Sequence, residues 1–304
     1  MRCGSVSSTA ERLRYVGRFA PSPTGPLHFG SLLTALASFV AARAAQGRWL
    51  VRIEDIDVPR TDPAHAASIL HALEDHRLGW DGTTEWQSRR TELYRAAFDR
   101  LVADGRIFHC DCSRRALEDH AVYPGTCRNL ALPEAPDRAA RLHAPDTEVS
   151  FVDEIQGRCT QRLTRDVGDF VVKRRDGLFA YQLAVVVDDV EQGITHVVRG
   201  ADLLDNTPRQ LHLYELLHRR APEFAHIPVV TDRSGRKLSK HTGAAPLDRH
   251  NASANLHLAL TLLGQSPPAA LVKEPPATQL EWAVAHWRLH AVPRGTRIEH
   301  FVCE

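Results

Sequence analysis

The chain has 304 residues, of which 43% are hydrophobic and 25% charged, with a formal net charge of +1. This is the composition of an ordinary soluble globular protein, with length for a large core or two modest domains, and it excludes a globally basic nucleic-acid-binding protein. Any RNA site must be a local patch, for which 173–175 and 233–240 are candidates. Residues 1–14 lack a signal-peptide core and no apolar stretch is bilayer-length, so we expect a cytoplasmic protein.

The first predicted elements are a strand, a loop rich in Gly and Pro, and a helix. An apolar pair leads into the loop at 17–30, and 31–45 carries apolar residues at helical spacing. Gly25 and Gly30 permit close approach of a ligand, and the helix start directs unpaired N–H groups toward it. We predict a phosphate site that includes His28; an ordinary turn with a solvated His28 is the alternative.

The second predicted strand, 49–53, is an apolar run that ends in the acidic segment 54–57. Ligands of open α/β sheets lie beyond the carboxyl ends of the strands, so Glu54 is a candidate binding group. Simple solvation of a loop is the alternative. Helical periodicity then predicts helices at 63–78 and 89–103.

Three cysteines follow within a short stretch. Cys110, Cys112 and Cys127 place three thiols within reach of one ion, and three thiolates with a fourth ligand suit a closed tetrahedral zinc site. Three buried free cysteines are the alternative. The residues alone leave the fourth ligand open, with His109, His120 and a water among the candidates.

The composition changes between about 105 and 177. The segment 128–150 is predicted to be a surface stretch with one short helix, and the Asp-Gly dipeptide at 176–177 predicts a two-residue hairpin. We therefore predict that 105–177 is an inserted zinc-bearing α+β subdomain. It divides a catalytic nucleotide-binding domain into 13–104 and 178–230.

After this insertion the chain returns to the predicted sheet. The segment 181–189 is either a strand or a flanking helix, because its periodicity does not decide between them. The strand at 195–200 carries Arg199 at its end, where it faces the crevice of Glu54 if the sheet is doubly wound; a surface ion pair is the alternative. A helix with an N-terminal cap is predicted at 209–219.

Two separated stretches resemble the paired signatures of class I aminoacyl-tRNA synthetases. His-Phe-Gly-Ser at 28–31 is similar to HIGH, and Lys-Leu-Ser-Lys-His at 237–241 is similar to KMSKS, with His241 where the pattern has Ser. The resemblance implies an α/β fold with a split, doubly wound, Rossmann-like catalytic domain. It narrows to the glutamyl branch at three further stretches, 18–25, 52–57 and 199–203.

This resemblance implies ATP-dependent activation of L-glutamate to glutamyl adenylate, with magnesium accompanying ATP, and then transfer to tRNA. The implied catalytic residues are His28, Gly30, Lys237 and Lys240, of which all but Lys237 contact ATP. It also implies Tyr123 as the fourth zinc ligand. The implied glutamate contacts are Arg18, Ala20, Ser22, Glu54, Tyr181 and Arg199.

From the number of residues that follow Lys240, we expect no anticodon-binding domain of the kind found in a glutamyl-tRNA synthetase. We expect 231–304 to hold the basic loop and a short helical piece. The chain therefore resembles the short paralogues of the branch more than the full-length synthetases. This resemblance implies transfer of glutamate to queuosine in the anticodon loop of tRNA(Asp). A truncated synthetase that charges a tRNA 3′ end is the alternative; a nucleotidyltransferase and a silent tRNA-binding module are more distant alternatives.

One residue departs from the pattern of the glutamyl branch. This chain has Val185 at a position where the branch tends to carry Asn. We expect the loss of this polar side chain to weaken glutamate binding or alter the pose of glutamate.

Overall fold

In this computed structural model of the protein, the residues described are 14–231 and 247–299. The basic stretch at 237–241, called the lysine loop below, therefore lies outside the described residues. No helix in the described ranges is both long and apolar enough to span a bilayer. The strands are β1 Val16–Phe19, β2 Arg48–Ile53, β3 Glu85–Trp86, β4 Ile107–Cys110, β5 Ala139–Leu142, β6 Glu148–Asp153, β7 Gly157–Arg162, β8 Phe170–Lys173, β9 His196–Gly200, β10 Glu223–Ile227, β11 Val229–Thr231 and β12 Arg297–Glu299. The helices are α1 Phe29–Ala44, α2 Pro63–Asp75, α3 Thr91–Ala103, α4 Leu163–Asp166, α5 Tyr181–Glu191, α6 Thr207–Leu216, α7 Ala252–Leu262 and α8 Pro276–His286.

Parallel strands form the centre of the fold. β1, β2 and β3 pair in that order, and β9 pairs with β10. β9 begins beside β1, where the Thr195 N–H donates to the Val16 carbonyl oxygen at 2.9 Å. The two groups of parallel strands therefore meet at β1 and β9. Their carboxyl ends carry polar residues of both the first and the second half of the chain.

Helix α1 packs its apolar face on these strands, as its helical spacing predicts. Leu32, Leu36 and Val40 have no exposed surface, and the buried Trp49 indole donates to Ser38 Oγ at 3.0 Å. The turn into β2 requires glycine, since a Cβ at Gly47 would lie 2.3 Å from the Tyr15 carbonyl oxygen. This turn fixes how α1 stands over β1 and β2.

The segment between α3 and α5 has antiparallel pairing of its own. β4, β5 and β8 form one sheet, and β6 and β7 form a hairpin. The short helix predicted within 128–150 is wrong, because that segment contains β5 and the start of β6 instead. A turn forms at the predicted position, where the Arg174 N–H donates to the Leu178 carbonyl oxygen at 2.8 Å. The predicted two-residue loop is wrong, because three residues, 175–177, separate this pair, and the chain then enters α5 after a single bridge.

The structure decides the ambiguity at 181–189, which is helix α5. The cap predicted at the start of α6 is wrong in its chemistry. Asn206 occupies the cap position, but its side chain forms no cap hydrogen bond and instead accepts from Arg209 Nη2 at 2.7 Å. The remaining predicted helices are confirmed, with ends that differ by a few residues.

Candidate functional site

A cavity of about 480 Å³ lies where the carboxyl ends of β1 and β9 meet the start of α1. It is lined by residues from the first loop, the segment after β2, the start of α5 and the end of β9. Eight residues that the sequence predicts as site residues line it: Arg18, Ala20, Ser22, His28, Gly30, Glu54, Tyr181 and Arg199.

One side of the cavity is the N-terminus of α1. His28 is the N-cap in extended conformation, and its Nδ1 accepts from the Ser31 N–H at 3.3 Å while its Nε2 lies 3.0 Å from Ser31 Oγ. Gly30 stands in the first turn, where no side chain shields the backbone. First-turn N–H groups and the positive end of a 16-residue helix make this side suited to phosphate.

A buried charge cluster forms a second side. Arg18 Nε lies 3.4 Å from Asp189 Oδ1, and Arg52 contacts both Asp189, at 2.8 Å, and Glu54, at 3.4 Å. Burial raises the pKa of Glu54 to about 7, against the opposing effect of Arg52 and Arg18. Glu54 is therefore a carboxylate whose charge is marginal near neutrality until a cation approaches it.

Asp188 anchors this cluster from the side remote from the cavity. Its carboxylate accepts from Gln87 Nε2 at 2.8 Å, from Arg90 Nε at 2.6 Å and from the Tyr94 hydroxyl at 2.9 Å, and it lies 3.5 Å from Arg52 Nε. The sequence analysis missed Asp188 and its neighbour, since acids on an apolar segment of undecided structure have no predictable partners. Their only signal is an adjacent acidic pair within an apolar run.

Arg199 forms a third side with a different character. Its Nε donates to His226 Nε2 and its Nη2 to Thr207 Oγ1, both at 2.9 Å. Its Nη1 is buried without a hydrogen-bond partner, and no carboxylate of the described residues forms an ion pair with it. Burial lowers the pKa of this guanidinium. An unneutralised buried cation favours an anionic ligand, since a carboxylate supplies the missing acceptor.

Tyr181 stands beside Arg199 at the start of α5. Its side chain is partly buried, and desolvation raises the pKa of its hydroxyl, so the group remains neutral and available as a donor. Val185, one turn further along α5, is 1% exposed and packs in the core around α5 instead of lining the cavity. The cavity thus combines a buried arginine without a carboxylate partner among the described residues, an acidic group and a helix start of the kind that suits phosphate.

The thiol cluster is separate from this cavity. The sulfurs of Cys110, Cys112 and Cys127 lie within 4.8 Å of one another, and the Tyr123 hydroxyl is 3.4 Å from Cys110 Sγ. Burial opposes ionisation of Cys110, but hydrogen bonds from Tyr123 and Arg141 lower its pKa to about 7. Within the described chain, His109 and His120 do not join this group. Three close sulfurs, one of them readily ionised, suit a tetrahedral metal ion.

Comparisons with known proteins show what this chain is similar to. Residues 15–263 match the family described as tRNA synthetases class I (E and Q), catalytic domain. The chain is 53% identical over 285 residues to the glutamyl-Q tRNA(Asp) synthetase of Thiobacillus denitrificans, with coverage of 91% of this chain and 95% of that protein. The glutamyl-Q tRNA(Asp) synthetase of Methylococcus capsulatus is 52% identical over 287 residues, with coverage of 94% and 95%.

Solved structures show the same fold. The glutamate tRNA ligase of Elizabethkingia meningosepticum, crystallised in complex with its amino acid, superposes with a TM-score of 0.78 at 26% identity. The glutamate-tRNA synthetase of Elizabethkingia anophelis gives 0.79 at 25% identity. Each match covers 94% of this chain, and 67% and 68% of those chains, respectively.

Proposed function

Since this chain belongs to the class I tRNA synthetases for glutamate and glutamine, and within them to the glutamyl-Q tRNA(Asp) synthetases, we propose that it attaches L-glutamate to queuosine in tRNA(Asp). The observation that carries the proposal is the cavity itself. All eight described residues that the resemblance assigns to glutamate and ATP line it together. A protein that had kept the fold without the reaction would have no reason to keep this set.

Glutamate is proposed to lie between the two arginines and Glu54. Arg199, whose Nη1 has no described partner, binds one carboxylate and Arg18 the other, while Glu54 accepts from the ammonium group. The Tyr181 hydroxyl donates a hydrogen bond to the substrate. Ala20 and Ser22 complete the lining of the same cavity.

ATP is proposed to lie at the start of α1, against Gly30. A carboxylate oxygen of glutamate attacks the α-phosphorus, the bond to the bridging oxygen breaks, and pyrophosphate leaves, so no protein nucleophile is needed. His28, with Lys237 and Lys240 of the loop outside the described residues, stabilises the charge that develops on the phosphates. Magnesium is proposed to accompany ATP.

The remaining assignments are proposals of the same kind. Residues 13–104 and 178–230 form a split doubly wound catalytic domain, 105–177 form a zinc-bearing insertion, and 231–304 form the lysine loop and a helical piece. Antiparallel pairing within the insertion, against parallel pairing outside it, supports this division. We place the protein in the cytoplasm, where tRNA and ATP are found.

The acceptor distinguishes this function from a truncated synthetase that charges a 3′ end. The test is to supply labelled glutamate, ATP and tRNA(Asp), digest the product with nuclease and locate the label. Label on the nucleoside of the anticodon loop supports the proposal. Label on the terminal adenosine would assign the protein to 3′ charging.

We expect the activation of glutamate to depend on pH through Glu54. Its pKa of about 7 means that the free enzyme carries the ammonium-binding charge above pH 7 and loses it below. The kcat/KM for glutamate in pyrophosphate exchange should therefore fall below pH 7, approaching about tenfold for each pH unit. The kcat/KM for ATP under saturating glutamate serves as the control and should fall less. A glutamate profile that stays flat from pH 8 to pH 6 contradicts this assignment.

We expect zinc at the thiol cluster to stabilise the insertion. Cys110, Cys112 and Cys127 provide thiolates and Tyr123 the fourth ligand, and ligation of this kind contributes folding free energy. Cys112→Ser should release the metal in elemental analysis and lower the thermal midpoint, while Cys159→Ser, outside the cluster, should change neither. Protein purified without chelator that contains no zinc would refute the site, and Tyr123→Phe tests the fourth ligand separately.

A further inference from the structure

A chain of three buried side chains runs behind the cavity. Asp153 at the end of β6 contacts His226 of β10, with 2.6 Å between Oδ2 and Nδ1, and His226 Nε2 accepts from Arg199 Nε of β9 at 2.9 Å. The three residues are 1%, 0% and 3% exposed. Neither Asp153 nor His226 lines the cavity.

The Asp153 carboxylate is held in one orientation. Its Oδ1 accepts the N–H groups of Ile155 at 3.0 Å, Gln156 at 2.9 Å and His226 at 3.1 Å, so only Oδ2 faces the imidazole. Burial opposes ionisation, but the hydrogen bonds from His226 and Gln156 keep the pKa of Asp153 below its ordinary value. An ionised carboxylate only accepts, so the Nδ1 that faces it must carry a proton.

This arrangement determines what His226 offers to Arg199. Burial lowers the pKa of His226, so the ring is neutral and carries one proton. With that proton on Nδ1, Nε2 presents a lone pair, which is the only form that can accept from Arg199 Nε. Thr207 holds Nη2 of the same guanidinium at 2.9 Å, and Nη1 remains without a described partner.

We propose that Asp153 and His226 are positioning residues that fix one imidazole tautomer and thereby hold the Arg199 guanidinium with its Nη1 edge directed to the substrate carboxylate. This inference rests on the proposed function, because it assigns to Arg199 the carboxylate of glutamate. It adds two residues that do not touch the substrate but determine how well Arg199 binds it. The consequence is a selective effect on glutamate, with little effect on ATP.

The decisive variant is Asp153→Asn, which preserves shape. In this variant the side-chain amide oxygen of residue 153 still accepts from the three backbone N–H groups, so the side-chain NH₂ must face His226 Nδ1. This NH₂ group is a donor, which forces the ring proton onto Nε2. Two donors, Nε2–H and Arg199 Nε–H, then oppose each other. We expect the KM for glutamate in pyrophosphate exchange to rise about tenfold or more, with kcat and the KM for ATP changed less than about twofold.

Long-range ¹H–¹⁵N spectra of the imidazoles give a readout that does not depend on activity. They should show the proton of His226 on Nδ1 in the unmodified protein and on Nε2 in Asp153→Asn. His226→Gln, which retains an acceptor near the Nε2 position, should preserve glutamate binding better than His226→Leu. His212→Gln is the matched control, since His212 is a buried histidine of α6 outside the cavity, and it should leave both KM values unchanged.

An unchanged KM for glutamate in Asp153→Asn would overturn the inference, as would a parallel rise in both KM values or a ring proton on Nε2 in the unmodified protein. If the unmodified protein shows no glutamate-dependent exchange, the proposed function fails instead. The tautomer measurement then still decides whether Asp153 sets the state of His226.

Discussion

Transfer RNA(Asp) that lacks its terminal adenosine should still accept glutamate from this protein, and intact tRNA(Asp) without queuosine should accept none. The cyclopentenediol of queuosine carries a cis-diol that resembles the 2′,3′-diol of a terminal ribose. A cavity that presents an adenylate to one diol can present it to the other. Removing the diol removes the nucleophile, so the expected difference between the two substrates is all or none.

The measurement is the incorporation of labelled glutamate into the two tRNAs under identical conditions. Loop bases splay out and can stack on protein side chains, so a local patch is sufficient for binding despite a net charge of +1. Periodate treatment provides a chemical control, because it destroys the cis-diol of queuosine. It should abolish the acceptance of glutamate by the trimmed tRNA. Acceptance by the queuosine-free tRNA, combined with refusal by the trimmed one, would establish 3′ charging.

Pyrophosphate exchange should proceed without any RNA and should fall about 10²-fold or more in Lys240→Ala. By resemblance we expect Lys240 to neutralise the departing pyrophosphate, and loss of one such charge-stabilising group has an effect of this size. Lys273→Ala is the matched control, because Lys273 is an exposed lysine of the C-terminal region. It should leave the exchange rate unchanged.

Three results would contradict this second expectation. Exchange that requires tRNA would mean that the cavity is completed by RNA, and exchange that prefers another amino acid would mean that the assignments of Arg18, Glu54 and Arg199 are wrong. A normal exchange rate in Lys240→Ala would assign the loop a role other than charge stabilisation.

The residues that we propose to contact glutamate or ATP were predictable from sequence because they lie in short local patterns. His28 and Gly30 follow from a glycine loop before a helix, and Glu54 and Arg199 follow from positions at strand ends. The structure places all four around one cavity. Their roles toward glutamate and ATP remain predictions.

The residues behind the cavity were not predictable in this way. Asp153 and His226 are 73 positions apart, in β6 and β10, and no short sequence pattern links them. Asp188 is in an apolar run whose identity as a helix or a strand was undecided, so neither its face nor its partners could be inferred. Such pairs depend on tertiary packing, which local periodicity does not encode.

The junction of β1 with β9 also has a consequence for biosynthesis. Val16 and Thr195 are 179 residues apart, yet they join the two groups of parallel strands. At a translation rate of roughly 5 to 20 residues per second, β9 is synthesised about 10 to 35 s after β1. The antiparallel segment between α3 and α5 is complete earlier, so we expect nascent chains to acquire protease resistance there before the cavity exists.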